Sequence, residues 1–339
     1  MLRWKFSRPL LITFTLFMAA SPFLGLGQFS RPGIQQTMAV ACLYGALALT
    51  YDLLFGFTGL LSFGHALFFA SGMYVTAILM SSYNWNFIPA VIAAIIFTAV
   101  LALIVGAASL RTTGIAFAMV TLAFGQAGHV VISRNFGGFT NGEDGLAMNA
   151  ERVPAFFIGV LNTKYLFLIS LAVLVAVYVA AWWITESSAG RVFAALRDNE
   201  LRVSVLGLNP NTFKLLSFVI SASLAALIGA IMLVVSGVAN PGYATSEVTI
   251  ALLLMVILGG PVTRWGAVLG GITYSVLSSR LTLIGESGAL DSAPKFISGP
   301  LSEPAFTLGL IFILIVMFAP GGISGAYYRA RYKYVIKAK

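Results

Sequence analysis

Residues 86–108 read NFIPAVIAAIIFTAVLALIVGAA, a run without one Asp, Glu, Lys or Arg. A helix needs about 20 apolar residues, at 1.5 Å each, to cross ~30 Å of hydrocarbon. Working outward, nine more apolar runs lie at 10–27, 34–54, 60–80, 114–132, 164–184, 214–239, 246–260, 265–281 and 305–320. The run at 246–260 is short for a full crossing. The one at 60–80 is interrupted by Gly59, Gly64 and Gly72. The composition agrees: 59% of the 339 residues are hydrophobic and only 9% charged, against about 25% charged in a soluble domain. So few charges cannot cover a water-exposed surface. The expectation is an all-α polytopic membrane protein, a bundle of about ten transmembrane helices, some short or broken, forming one domain over 1–339.

Ten spans put both termini on one side of the membrane. With that side inside, 14 of the 20 basic residues are cytoplasmic: Arg3, Lys5, Arg8, Arg111, Arg191, Arg197, Arg202, Lys214, Arg264, Arg329, Arg331, Lys333, Lys337 and Lys339. Arg31, Arg134, Arg152, Lys164, Arg280 and Lys295 fall outside. The asymmetry follows the positive-inside rule. It also accounts for the net charge of +9 without a nucleic-acid partner. Arg3, Lys5 and Arg8 could mimic a signal peptide before the run at 10–27, but the many later spans favour a retained first helix.

Two connections are long. The loop 133–163, predicted outside, carries Gly137, Gly138, Asn141, Gly142, Glu143, Asp144 and Gly145 and reads as polar and turn-rich. The loop 185–213, predicted inside, contains ESSAGRVFAALRDNELRVSVLGLNP over 186–210. It has helix formers between Arg191 and Leu206 and stop signals at Gly207, Asn209 and Pro210. One amphipathic helix is expected here, with Phe193, Leu196, Leu201 and Val205 along one side and Arg197, Asp198, Glu200 and Arg202 more exposed. Such a helix is either a connector on the membrane surface or a docking point for a soluble partner.

The chain has no G-x-x-x-x-G-K-[ST] phosphate loop, so it does not hydrolyse ATP by that route. Its spans hold few carboxylates or histidines: Asp52, His65, His129 and Glu247. Ion-coupled carriers place such groups inside their spans. A subunit driven by another protein is therefore the simplest reading, and a self-sufficient secondary carrier the alternative. Ser62 and His65 share a helix face by spacing, but no third group is evident to orient them as a catalytic pair. Two histidines and the single Cys42 make no metal site.

Residues 56–69, GFTGLLSFGHALFF, resemble the signature of LivH/LivM-type permeases of branched-chain amino acid ABC importers, most nearly the LivM type. TGIAFAMVTLAFGQ (113–126), NGEDGL (141–146), the stretch 190–230, MVILGG (255–260) and FAPGGISG (318–325) are similar to further family segments, in the same order over about 40–325. The resemblance implies a bacterial inner-membrane permease subunit that pairs with a second related permease. Two cytoplasmic ATPase subunits, holding ATP and Mg, dock beneath it, and a periplasmic solute-binding protein delivers the solute. No cofactor is implied for this chain itself. Permeases for urea or short amides look alike. The loop 190–207 is similar to the family's coupling helix, which implies an ATPase-coupling role for Gly190, Arg191, Leu196, Arg197, Asp198, Asn199, Glu200 and Gly207. After MVILGG the family more often has further glycine and a Gly-Pro pair. Here Pro261, Val262, Thr263 and Arg264 follow, which predicts a stiffer loop.

The two Gly-rich breaks, 56–64 and 259–271, occupy corresponding positions in the two halves. Paired breaks of this kind flag a translocation route, which makes Gly59, Ser62, Gly64 and His65 candidates to line or border it. The competing reading is that these glycines only allow close helix packing.

Overall fold

Pro32 opens the first described helix, where its missing N–H is not needed. The computed structural model describes residues 31–154, 157, 162–286, 303–318 and 321–337; the apolar run at 10–27 lies outside them. Helices α1 (Pro32–Asp52), α2 (His65–Ser81), α3 (Phe87–Ser109), α4 (Ile115–Ser133) and α5 (Thr163–Glu186) come first. Then follow α6 (Ser188–Asp198), α7 (Glu200–Val205), α8 (Pro210–Ser236), α9 (Ser246–Gly259), α10 (Arg264–Glu286), α11 (Pro304–Phe318) and α12 (Gly322–Lys337). The segments Pro32–Phe57, α3, α4, α5, α8 and Arg264–Gly285 are long and apolar enough to cross a membrane, whereas α2, α9 and α11 contain shorter apolar helices.

Burial sorts these helices. In α1 and α8, 78% and 72% of the apolar window is buried, against 33% or less in α3, α4, α5 and α10. Helices apolar on all sides belong at the centre of a bundle, so α1 and α8 form its axis. Lipid supplies no hydrophobic drive between helices, and close packing through small residues takes its place. Gly72 of α2 faces the Ala226 backbone and Gly229 of α8 faces the Phe69 carbonyl, so a side chain at either position would collide with main chain. Gly72 therefore lies in a continuous helix, as a packing site and not an interruption. Gly271 of α10 meets Gly45 of α1 in the same way.

The loop after α4 folds into short 3-10 turns and one strand, β1 (Leu146–Ala147), antiparallel to β2 (Val238–Ala239) after α8. Gly237 lets the chain leave α8 at φ +75°, its N–H returning to Leu233 O at 2.8 Å. Ser81 Oγ donates to Ala147 O (3.1 Å) and Arg152 to Asn84 (3.3 Å), closing this end of the bundle. The opposite end gathers α6, α7, the start of α8 and the α9–α10 turn.

Candidate transmission site at the broken helices

The stretch GFTGLLSFGHALFF does not carry α1 straight into α2. After Asp52 the backbone widens into a π turn, Leu53–Phe57, a feature common at functional sites. Gly59 N–H reaches Phe55 O (3.1 Å), Leu60 N–H reaches Leu54 O (3.0 Å), and Thr58 Oγ1 donates to Leu53 O (2.9 Å). Gly59 sits at φ +81°, which glycine adopts without a Cβ clash. The chain stays non-helical to Gly64, and α2 begins at His65, five residues after the apolar run itself begins.

Unwound backbone inside an apolar bundle must find its hydrogen bonds within the protein. Hydroxyls supply them here. Thr121 of α4 accepts from Phe63 N–H (3.1 Å), Thr249 of α9 accepts from Ala66 N–H (3.0 Å), and Tyr51 O–H donates to Ser62 O (3.0 Å). Of the four candidate path residues, Ser62, Gly64 and His65 are buried and Gly59 is exposed. Ser62 Oγ accepts from Gly64 N–H (3.3 Å). His65 Nε2 lies 3.1 Å from Thr50 Oγ1, whose own proton goes to Leu47 O at 2.7 Å. The imidazole is therefore the donor in that pair. Ser62 and His65 bond to different partners and do not form a pair.

The loop expected as one coupling helix is two. Ser187 caps α6, its Oγ accepting from Gly190 N–H at 3.2 Å, so the helix starts before Gly190. Asn199 is extended (φ −165°, ψ 108°) and its Oδ1 accepts from Arg202 N–H at 3.1 Å, ending α6 and capping α7. The break turns α7 relative to α6 and changes which side chains face inward. Phe193 and Leu196 are buried as the pattern predicts, but Val203 takes the third inward place. Leu201, Val205 and Leu206, at 76%, 87% and 77% exposure, stand out from the surface. Gly207 ends α7 at φ +80°.

Both short helices are tied to the bundle. Glu200 pairs with the buried Lys214 of α8 at 2.6 Å. Arg191 Nη1 donates to Glu186 O (3.2 Å). Arg197 donates from Nη1 to Gly56 O (3.0 Å) and from Nη2 to Asp198 (3.2 Å), and its stem lies against Gly59.

Gly56 is also where the second break arrives. Asp52 is fully buried one helical turn earlier, and its Oδ1 accepts from Val262 N–H in the α9–α10 turn at 3.0 Å. That bond crosses the open face of Gly56, where a Cβ would strike both Asp52 and Val262 N. Val262 holds φ +67°, an outlier for a β-branched residue. Beyond it, Arg264 bonds Glu186 Oε1 (3.2 Å) and Thr185 Oγ1 (2.8 Å) at the end of α5.

The family model described as the branched-chain amino acid transport system / permease component matches residues 33–320. The chain belongs to this permease family. It is similar to the high-affinity branched-chain amino acid transport system permease protein LivM of Escherichia coli K12, with 25% identity over 335 residues, covering 92% of this chain and 74% of LivM. LivH of Salmonella typhimurium is 25% identical over 296 residues, covering 83% of this chain and 91% of LivH. BraD of Pseudomonas aeruginosa is 25% identical over 312 residues, covering 85% of this chain and 93% of BraD. No solved structure matches. The permease is thus an integral membrane protein with long apolar helices.

Sequence reasoning missed four of this permease's junction groups: Gly56 as a meeting point, Val262, Lys214 and the Thr121–Thr249 clamp. Asp52 was visible as an ionisable group in a span, and the Pro261–Arg264 insertion was visible in a Gly-rich stretch. Single threonines in apolar helices are too common to signal a role.

Proposed function

We propose that this permease is the membrane-spanning subunit of an ABC importer in the bacterial inner membrane. It translocates branched-chain or other hydrophobic amino acids delivered by a periplasmic solute-binding protein, together with a second related permease. The energy comes from two ATPase subunits in the cytoplasm, which hold ATP and Mg. This chain carries no phosphate loop and performs no hydrolysis of its own. The end bearing α6 and α7 faces the cytoplasm, with both termini on that side. The solute path borders the break at Gly59, Ser62, Gly64 and His65.

The observation that carries this reading is the form of α6 and α7. An apolar tip of Leu201, Val205 and Leu206 is exposed on α7, and Arg197 at the end of α6 binds the pair to the π turn at Gly56. An exposed apolar cluster marks an interaction surface. A partner seated there would push directly on the broken helix, through Gly190, Arg191, Leu196, Arg197, Asp198, Asn199 and Glu200, with Gly207 as the far boundary.

The test is gentle purification of the tagged chain from its native membrane, followed by reconstitution into vesicles. Recovery of two ATPases and a second permease, with ATP-dependent uptake of leucine supplied on a binding protein, is the expected result. Uptake by the isolated chain, driven by an ion gradient and indifferent to ATP, would replace the importer with a secondary carrier.

A further inference from the structure

The contacts around Gly56 form a closed circuit. From α6, Arg197 reaches Gly56 O at 3.0 Å. Across Gly56, Asp52 reaches Val262 N–H at 3.0 Å. Two residues on, Arg264 reaches Glu186 at 3.2 Å, and Ser187 opens α6 again. Both membrane breaks are therefore attached to the same short helix, one at its C-terminal end and one just before its start.

The attachments differ in stiffness. Phe193 and Leu196 bury one side of α6, but a cavity of about 160 Å³ lies between Thr58, Gly59, Thr113, Leu196, Arg197 and Lys214. At the edge of this cavity helix α6 grips the first break by the Arg197 guanidinium. The α9–α10 turn has one residue in a conformation its side chain disfavours, Val262 at φ +67°. Strained backbone persists only where its surroundings over-determine it. Val262 N–H donates to Asp52, whose other oxygen, Oδ2, is buried without a partner among the described residues.

We infer that Gly56 is a mechanical junction and that Asp52 is the positioning residue which joins the two breaks. Movement of α6 is passed through Arg197 to the π turn, and through Asp52 to the α9–α10 turn. Val262 is the element that changes conformation when Asp52 lets go of its N–H. Coupling is carried by an element with two discrete arrangements that the driving site can bias, and a β-branched residue in the left-handed region, its N–H held by a side chain from another helix, is such an element. This inference rests on the importer reading.

The experiment uses the complete transporter, with its ATPases, second permease and binding protein, in vesicles. It reads ATP hydrolysed per leucine taken up. Asp52→Asn, which keeps an Oδ1 acceptor for Val262 N–H, should stay within twofold of the parent. Asp52→Ala should raise the ratio at least fivefold while the complex still assembles. Val262→Gly, which removes the strain and leaves Asp52 in place, should also raise it at least threefold and increase ATP hydrolysis without binding protein. Should Asp52→Ala fail to assemble, Val262→Gly decides alone. A parent-like ratio in Val262→Gly, or in an assembled Asp52→Ala complex, overturns the junction and leaves the importer intact. Absence of ATP-driven uptake in the parent complex overturns the importer reading and the junction with it.

Discussion

The two Gly-rich breaks meet at Asp52 and Val262, yet they are built in opposite ways. The first, from Leu53 to Gly64, is long; Thr121, Tyr51 and its own π turn take up backbone groups within it, and Thr249 takes up the Ala66 N–H at the start of the helix that follows. Its left-handed position is filled by Gly59, so it sits without strain. The second is a tight turn that places Val262 in the left-handed region and holds it through Asp52. Satisfied backbone and a permissive glycine make a segment that responds as one stiff piece. A strained residue whose N–H is held from another helix makes a piece that can move when that hold is released. Paired breaks in a transporter need not be equivalent: one can serve as the anvil for the other.

Four substitutions test that contrast. The largest effect belongs to Gly56→Leu, because a side chain there strikes Asp52 and Val262 N together. Loss of more than ~3 kcal/mol is expected from overpacking plus broken buried hydrogen bonds, read as failure to elute as a folded species in mild detergent. A folded Gly56→Leu protein would show that the breaks do not depend on touching each other.

Next comes Thr249→Val, which leaves the Ala66 N–H without its acceptor. A cost of about 1–3 kcal/mol is expected, seen as a lower thermal unfolding midpoint. An unchanged midpoint would mean the first break is not held by its hydroxyl clamp. Val262→Gly should act with the opposite sign. It relieves strain of about 1–3 kcal/mol against the 0.5–1 kcal/mol or so of extra chain entropy that glycine brings. The net gain is about 1 kcal/mol, so the midpoint should rise; a fall would remove the distinction between the breaks. The smallest effect is that of Glu186→Gln. Its ion pair with Arg264 is largely exposed on the glutamate side, at 63%, and is worth about 1 kcal/mol or less. That loss should shrink further as salt is raised; a larger, salt-independent loss would make this end of the circuit as rigid as the first break.

Sequence alone settles the membrane class and the order of the helices, because apolar run length is a local property that the bilayer thickness reads directly. Nine of the ten apolar runs fall on described helices, and the first break falls where its glycines put it; the second, expected over 259–271, ends at Thr263, because α10 starts at Arg264 and takes Gly266, Gly270 and Gly271 into a continuous helix as packing sites. It also indicated a short helical segment before Gly207, and the motifs around Gly56, Thr113 and Met255 indicated the family. What it could not decide was orientation between elements. A single extended residue, Asn199, turned α7 so that Val203 went inward and Leu201 and Val205 went out, against the pattern of one continuous helix. Asp52 and Val262 are 210 residues apart, and their bond exists only because α1 and α9 pack at one end of the bundle with a glycine between them. The strain at Val262 likewise depends on tertiary structure: local preference opposes that conformation, and Asp52, brought from another helix, holds its N–H.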